Sequence, residues 1–250
     1  MNVAGIGPRL EGEPNFRDAA IPGFLEPGRV FRSGELSRLS AQDVEALSGL
    51  RHVVDLRTAR ERSEAPDRLP AGVEVLALPI DPRGSEGRRV FLRLALRRQD
   101  FDGFMHQHYQ RSLFEHSAQV GEVFRVLARA EGPVLVHCTA GKDRTGVVIA
   151  LLQGLLGASE DQVLENYLET NGRMDERARS LGRRLRWMGG WPFSAGELEP
   201  LMQARASYLQ RALERLRELY GDESRYLAEA CGVDRACQAD LLRRLGSVAG

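Results

Sequence analysis

Short apolar runs separated by turns occupy the first half of the chain, and helical periodicity dominates the second half. Interior strands are predicted at His52–Leu56 and Val73–Leu78, and Pro133–Val136 is the most apolar short strand. In residues 104–130 and 198–220, apolar residues recur every three or four positions, which is the spacing of one helix face. This order predicts an α/β fold with a central, mostly parallel sheet flanked by helices and a helical C-terminal part.

Shorter elements are marked by turn residues and by helix caps. Asn15–Asp18 and Arg29–Arg32 are brief, partly apolar runs between prolines and glycines, which predicts short strands or turns. Ser40–Asp43 and Thr58–Glu61 each place an acidic residue three positions after a hydroxyl residue, and this pattern predicts the start of a helix.

The length of 250 residues is compatible with one large domain. We expect a single domain over residues 1–250, with an N-terminal extension at 1–13 and a lid or insertion at 81–104. That insertion has glycines and prolines followed by a mixed apolar and basic run. Such a run suits a helical lid over a site and a solvated amphipathic helix equally.

Composition excludes several classes of protein. The chain carries 35 Lys and Arg against 35 Asp and Glu, which argues against a sequence-independent nucleic-acid partner. No apolar run is long enough to predict an integral membrane segment. Three cysteines are too few for a disulfide scaffold, so we expect a reducing, cytoplasmic setting, with secretion without a signal peptide left open.

The chemistry is concentrated in one strand, loop and helix. The strand at residues 133–136 leads to Cys138, and an apolar helix begins within a few residues of Gly141. Backbone N–H groups of such a loop converge on one point, and the helix N-terminus adds positive potential that favours a thiolate. Arg144 can offer a planar fork of donors to phosphate, and the Thr145 hydroxyl can donate to the sulfur. The pattern predicts an anion cradle with a nucleophile at its floor.

The run from His137 to Gly146 reads His-Cys-Thr-Ala-Gly-Lys-Asp-Arg-Thr-Gly. It resembles the signature loop of the cysteine-dependent protein tyrosine phosphatases. It is most similar to that of the atypical bacterial members, some of which also accept phosphoserine, phosphothreonine and phosphoinositides. The resemblance covers most of residues 14–245, and its other landmarks are Asn15–Asp18, Arg32–Gly34, Val54–Arg57, Glu61–Arg62, Leu78–Pro79 and a helical tail around Tyr208–Gly221.

The resemblance implies a protein tyrosine phosphatase fold and a two-step displacement that needs no metal or other cofactor. Cys138 would attack phosphorus, and water would hydrolyse the resulting cysteinyl-phosphate. Arg144 and the loop amides would hold the equatorial oxygens. His137 is expected to be structural, behind Cys138. The loop residues expected to bind phosphate are Thr139, Ala140, Gly141, Lys142 and Thr145.

The general acid has two candidates. Asp81 follows a predicted strand, where most of the superfamily supplies its acid from a mobile loop, and a simple turn residue is an equal alternative. Asp143 lies within the signature loop and resembles the Lys-Asp pair of the atypical family. A helix-capping role is the alternative for Asp143.

Asp55 and Arg57 have more than one interpretation, and Lys142 is expected to contribute to the choice of substrate. Asp55 and Arg57 lie at the end of a strand, where they would bind substrate, support the loop or form a structural ion pair. Lys142, the one lysine of the chain, resembles the loop lysine of lipid phosphatases of the phosphatase-and-tensin type. A flexible ammonium at the rim would suit phosphoinositides as well as phosphorylated proteins.

Two other function classes stay open at this level. A non-catalytic module that only binds phosphorylated partners would keep the loop without the reaction. A rhodanese-like sulfur transferase also begins its active loop with a cysteine. The Asp candidates and the Lys-Asp-Arg-Thr-Gly continuation favour a phosphatase over both.

Overall fold

A five-stranded sheet forms the centre of the protein. The structure is a computed structural model that describes residues 9–82, 100–187 and 195–247, without the side chains of 174–187 and 195–198. The strand order is β1-β2-β5-β3-β4; β1 runs antiparallel to β2, and the other neighbours are parallel. The strands are β1 (Arg17–Asp18), β2 (Val30–Ser33), β3 (His52–Asp55), β4 (Glu74–Ala77) and β5 (Val134–His137). The predicted fold class is confirmed.

The helices that the structure describes alternate with the strands at first and then follow one another. Numbered in chain order, they are α1 (Ala41–Ala46), α2 (Ala59–Glu64), α3 (Phe101–Phe114), α4 (Ser117–Arg129), α5 (Asp143–Leu155), α6 (Glu160–Trp187), α7 (Ala195–Met202), α8 (Ala206–Tyr220), α9 (Glu223–Glu229) and α10 (Arg235–Leu245). Both predicted capping boxes are present, at the starts of α1 and α2.

The sheet separates two apolar clusters. Val134 and Val136 of β5 belong to the larger cluster, and Leu135 between them belongs to the smaller one, as the alternation of side chains along a strand requires. Helix α5 packs in the larger cluster, and its residues 144–153 are all buried. The loop between β5 and α5 is therefore held between two buried elements.

Two details of the sequence prediction are wrong. The strand at Val73–Leu78 was expected in the interior, but among the described residues β4 pairs with β3 alone, and Val75 is 48% exposed. An apolar β-rich run does not reveal how many neighbours a strand has. The helical run over 104–130 is two helices, because the chain turns at Glu115 and His116 between α3 and α4.

The proposed extension and insertion are described only in part. Leu10 is buried in the smaller cluster, and the amides of Glu11 and Gly12 donate to the Asp43 carboxylate, so the end of the 1–13 segment packs on α1. Helix α3 includes residues 101–104, and residues 83–99 of the expected lid lie outside the described part. Within that part, no helix combines the length and apolar character needed to cross a bilayer.

Candidate active site

The β5–α5 loop begins at Cys138, directly after the central strand. The Cys138 side chain is 2% exposed, and α5 begins only five residues later at Asp143. Strands β2 and β3 flank β5 in parallel, so the carboxyl ends of three strands meet at this loop, where open α/β sheets bind ligands. The sequence prediction of a strand that delivers a thiol to a helix N-terminus is confirmed.

Gly141 fixes the path of this loop. Its φ is +67°, a region that favours glycine, and a Cβ on this residue would lie 2.3 Å from the carbonyl oxygen of Ser33. The loop therefore packs directly against the end of β2, which only a glycine permits.

The carbonyl groups of the loop are held by the N-terminal part of the chain. Three successive carbonyls accept hydrogen bonds from it. The bonds are Glu35 N to Thr139 O at 3.1 Å, Asn15 Nδ2 to Ala140 O at 2.9 Å and Arg32 Nη2 to Gly141 O at 3.0 Å. Fixing these peptide planes orients the loop's N–H groups for an anion.

Arg144 is aligned by Glu61 of α2. Its Nη1 lies 2.9 Å from Glu61 Oε2, and its Nη2 lies 2.8 Å from Glu61 Oε1, a bidentate pair. Nη1 also reaches the carbonyls of Leu56 and Ile80, at 3.2 and 3.3 Å. Against the opposing effect of burial, Cys138 and Glu61 raise the pKa of Arg144. The guanidinium is therefore a fixed cation beside the thiol.

Glu61 connects three parts of the site. It caps α2 by accepting from Thr58 N at 2.9 Å, and its Oε1 accepts from Thr139 Oγ1 of the loop at 2.8 Å. Burial opposes ionisation, but the hydrogen bonds and charge of Arg144 hold the pKa of Glu61 well below its ordinary value. Glu61 is therefore an ionised acceptor that couples helix, loop and arginine.

Asp143 lies at the first position of α5, with its side chain 19% exposed. Its Oδ1 accepts from Tyr109 Oη at 2.7 Å and lies 3.5 Å from Lys142 Nζ. The Tyr109 hydroxyl in turn lies 2.5 Å from that of Tyr167. The carboxylate is held by side chains from the loop and from α3, with a further tyrosine behind it on α6.

Comparison with known proteins decides the family. The model of the Tyrosine phosphatase family matches residues 8–246 of the chain. The chain belongs to this family. It is therefore an enzyme, a phosphatase, which decides against the non-catalytic module and the sulfur transferase.

Two relatives known by sequence agree with this assignment. The phosphatase is 32% identical to the triple specificity protein phosphatase PtpB of Mycobacterium tuberculosis, over 91% of this chain and 94% of PtpB. It is 35% identical to a Cupriavidus necator protein named as a tyrosine-protein phosphatase, H16_A0669, over 85% of this chain and 77% of that protein. Among solved structures, P. aeruginosa TpbA is similar with a TM-score of 0.37 and 23% identity, over 76% of this chain and 97% of TpbA.

Lys142 lies elsewhere than expected in this phosphatase. Its ammonium is 2% exposed and donates to the carbonyls of Leu201 and Gln203, at 2.7 and 3.2 Å. The expectation of a flexible ammonium at the rim is wrong for this structure, because the C-terminal end of α7 supplies unpaired carbonyls that satisfy the charge. The lysine ties the β5–α5 loop to α7.

The Thr145 hydroxyl also differs from its expected role. Thr145 is fully buried, and its Oγ1 has no hydrogen-bond partner among the described residues, so the expected bond to the Cys138 sulfur is not made here.

Asp55 and Arg57 form a buried ion pair with Asp67. Arg57 Nη2 donates to Asp55 Oδ2 at 2.8 Å and to Asp67, and Nη1 donates to Ala65 O at 2.7 Å. The structural ion-pair interpretation therefore fits the geometry better than substrate binding, because these contacts already occupy the guanidinium. The His137 ring lies beside the pair, with Nε2 3.4 Å from Asp67 Oδ2.

The same cluster is the place where a cation would be sought. Asp55, Asp67 and His137 place ligand atoms within 4.8 Å of one another, the one such group in the described ranges. Arg57 forms ion pairs with both carboxylates, and burial lowers the pKa of His137. A guanidinium therefore already lies where a cation would bind, and we assign this cluster no metal.

Asp81 follows the residue whose carbonyl accepts from Arg144. That residue, Ile80, is fully buried and its amide donates to Leu56 O, so the backbone delivers Asp81 to the vicinity of the arginine. The next residues, 83–99, lie outside the described part. Asp81 stays a candidate acid by position.

Sequence reasoning did not recognise four residues of this site. Asn15, Arg32 and Glu61 were noted only as family landmarks or as a helix cap, and Tyr109 was one residue of a helical run. The partners of Asn15 and Arg32 lie 125 and 109 residues away, and no local pattern encodes such a distance. Their polar side chains beside apolar strand residues were the available signal, since buried polar groups need partners.

Proposed function

We propose that this phosphatase hydrolyses phosphotyrosine through a phosphocysteine intermediate on Cys138. The observation that supports it best is the arrangement around the thiol: a loop whose carbonyls are already hydrogen-bonded, a helix N-terminus and an arginine aligned by Glu61. Each element favours negative charge at one point. A deep thiol suits a flat phenolic ester that can reach the floor of the cradle.

In the first step, the Cys138 thiolate attacks phosphorus as the bond to the tyrosine oxygen breaks. The sulfur donates the electron pair of the new S–P bond, and the phenolic oxygen leaves with the pair of the old bond and takes a proton from Asp143. Arg144 and the loop amides hold the three equatorial oxygens while charge spreads over them.

In the second step, water attacks the phosphocysteine. The Asp143 carboxylate takes a proton from the water, the S–P bond breaks, and the thiolate leaves with that bond's electron pair, which releases inorganic phosphate. The enzyme returns with Cys138 as thiolate and Asp143 protonated, so the cycle balances.

Asp143 is our assignment for the acid, because its carboxylate is oriented by Tyr109 beside the loop. The variants Asp143→Asn and Asp81→Asn compare the two candidate acids directly. The variant that removes the acid should lose more kcat/KM on phenyl phosphate, whose phenol is a poor leaving group, than on p-nitrophenyl phosphate. Selective loss in Asp81→Asn alone would transfer the role to Asp81.

The substrate class is tested with phosphotyrosine, phosphoserine and phosphothreonine peptides beside phosphoinositide vesicles. We expect phosphotyrosine to be turned over best. A phosphoinositide preference would require Lys142 to leave its two carbonyls, and Lys142→Ala would then lower lipid turnover more than peptide turnover. Equal loss on both substrates indicates that the lysine supports the loop instead.

The central test is turnover of p-nitrophenyl phosphate in the presence of a chelator. We expect turnover by the native enzyme, none by Cys138→Ser, and native rates for Cys237→Ser, whose thiol lies on α10. Rapid acid quench and mass spectrometry should find phosphate on Cys138. Turnover that survives in Cys138→Ser would overturn the proposal.

A further inference from the structure

We propose that Tyr109 and Tyr167 are positioning residues that fix which oxygen of Asp143 carries the transferable proton. The inference rests on the proposed function, in which Asp143 is the acid and base. Tyr109 donates to Asp143 Oδ1 at 2.7 Å, and the Tyr167 hydroxyl lies 2.5 Å from that of Tyr109. The three groups form a chain from α6 through α3 to the first residue of α5.

The two tyrosines are buried polar groups whose hydroxyls meet at this chain. Tyr109 is 0% and Tyr167 1% exposed, and a buried hydroxyl without a partner is costly. Their rings pack edge-to-face at 6.3 Å. Gly146 makes room for this arrangement, since a Cβ there would lie 3.0 Å from the Tyr167 ring. The fold thus brings both hydroxyls to the start of α5.

The direction of the chain follows from counting protons. Each tyrosine hydroxyl can donate one hydrogen bond, and that of Tyr109 is donated to Asp143, so Tyr167 must be the donor between the two tyrosines. Burial and the nearby Asp143 raise the pKa of Tyr109. Tyr109 therefore stays a phenol, and a donor, throughout the cycle.

This direction distinguishes the two oxygens of Asp143. Both described contacts of the carboxylate, Tyr109 Oη and the Lys142 ammonium at 3.5 Å, are made to Oδ1. An oxygen that already accepts a hydrogen bond and faces an ammonium is a poor site for a proton, so the proton resides on Oδ2. In the first step the Oδ2–H bond breaks as the leaving oxygen takes the proton, and in the second step Oδ2 takes a proton from water. Oδ1 keeps its hydrogen bond and its ion-pair contact in both states.

The test is the dependence of kcat/KM on the leaving group. Tyr109→Phe should lose about tenfold in kcat/KM on phenyl phosphate, and little on p-nitrophenyl phosphate, whose leaving group needs less help from an acid. Tyr167→Phe should show a smaller loss with the same selectivity. In an Asp143→Asn background, Tyr109→Phe should cause no further loss, because the two residues act as one unit.

A matched control separates this role from packing. Tyr226 is also fully buried, and its hydroxyl donates to the Leu113 carbonyl of α3 at 2.7 Å, away from the loop. Tyr226→Phe also removes a buried phenolic hydroxyl and should leave the leaving-group dependence unchanged. Equal losses on both substrates in Tyr109→Phe, or an additive loss in the Asp143→Asn background, would overturn the proposal.

The outcomes of these experiments also separate a failure of this inference from a failure of the proposed function. Turnover by Cys138→Ser would refute the proposed function itself. A selective loss in Asp81→Asn instead of Asp143→Asn would refute the acid assignment. A selective loss in Asp143→Asn with a native profile in Tyr109→Phe would refute only the positioning role.

Discussion

Replacing Glu61 by glutamine removes the negative charge that pairs with Arg144, while the size of the side chain is retained. In the native protein the carboxylate accepts from Arg144 at 2.9 and 2.8 Å. Glutamine keeps one acceptor oxygen and turns an amide donor toward the other guanidinium nitrogen. One charge-assisted bond is therefore lost, and two donors face each other.

The magnitude follows from that lost bond. A hydrogen bond to a charged group contributes about 1.5–3 kcal/mol, and about 1.4 kcal/mol corresponds to tenfold in rate. If the misaligned arginine loses this energy in the transition state, kcat/KM should fall roughly 10- to 150-fold. Both side chains are largely buried, at 9% exposed for Arg144 and 17% for Glu61, so screening by solvent reduces the effect little.

The assay is steady-state hydrolysis of p-nitrophenyl phosphate with inhibition by vanadate, beside a thermal melt. We expect kcat/KM and vanadate affinity to fall together in Glu61→Gln while the protein stays folded. The control is Glu64→Gln on the same helix, since Glu64 is 59% exposed and pairs only with the exposed Arg60 among described residues; we expect native kinetics there. Native kinetics in folded Glu61→Gln would refute the alignment of Arg144 by this residue.

Three further outcomes are expected. Asn15→Ala, which deletes the bond to Ala140 O, should weaken vanadate inhibition by up to about tenfold with little change in melting temperature. Gly141→Ala should abolish activity, and its melting temperature should fall, because the new Cβ meets Ser33 O. Because burial lowers the pKa of His137, the unfolded chain binds the proton more readily, and stability should fall as pH drops below about 6.5. Urea denaturation at several pH values should show a smaller pH dependence in His137→Gln; an unchanged slope would contradict this.

The sequence predicted those parts of the site that are continuous in the chain. Strand β5, Cys138 and the start of α5 were identified because the apolar run, the turn glycine and the helix follow one another within 20 residues. The parallel sheet followed from the alternation of elements. Local propensity and a contiguous loop are the quantities that a sequence pattern encodes directly.

The parts that were missed depend on distant partners. Glu61 satisfied a capping box, and that local explanation concealed its pairing with Arg144, which lies 83 residues further on. Tyr109 fits a helix face, and nothing nearby indicates that its hydroxyl reaches Asp143. Lys142 was predicted to lie at the rim of the pocket because it resembles the loop lysine of lipid phosphatases, whereas carbonyls at the end of α7 bury it.

The hydrogen bonds that hold the loop carbonyls also bear on when the protein can become active during its synthesis. Asn15 and Arg32 leave the ribosome long before the loop they hold, which is 125 and 109 residues later in the chain. Contacts between residues this far apart in the chain form slowly. A fragment that ends before Cys138 has no nucleophile. A fragment that starts after β2 lacks Asn15 and Arg32, which hold the loop. We therefore expect neither half to be active alone. A nascent or proteolysed chain should hydrolyse no phosphate ester until Asn15 and Arg32 contact the β5–α5 loop.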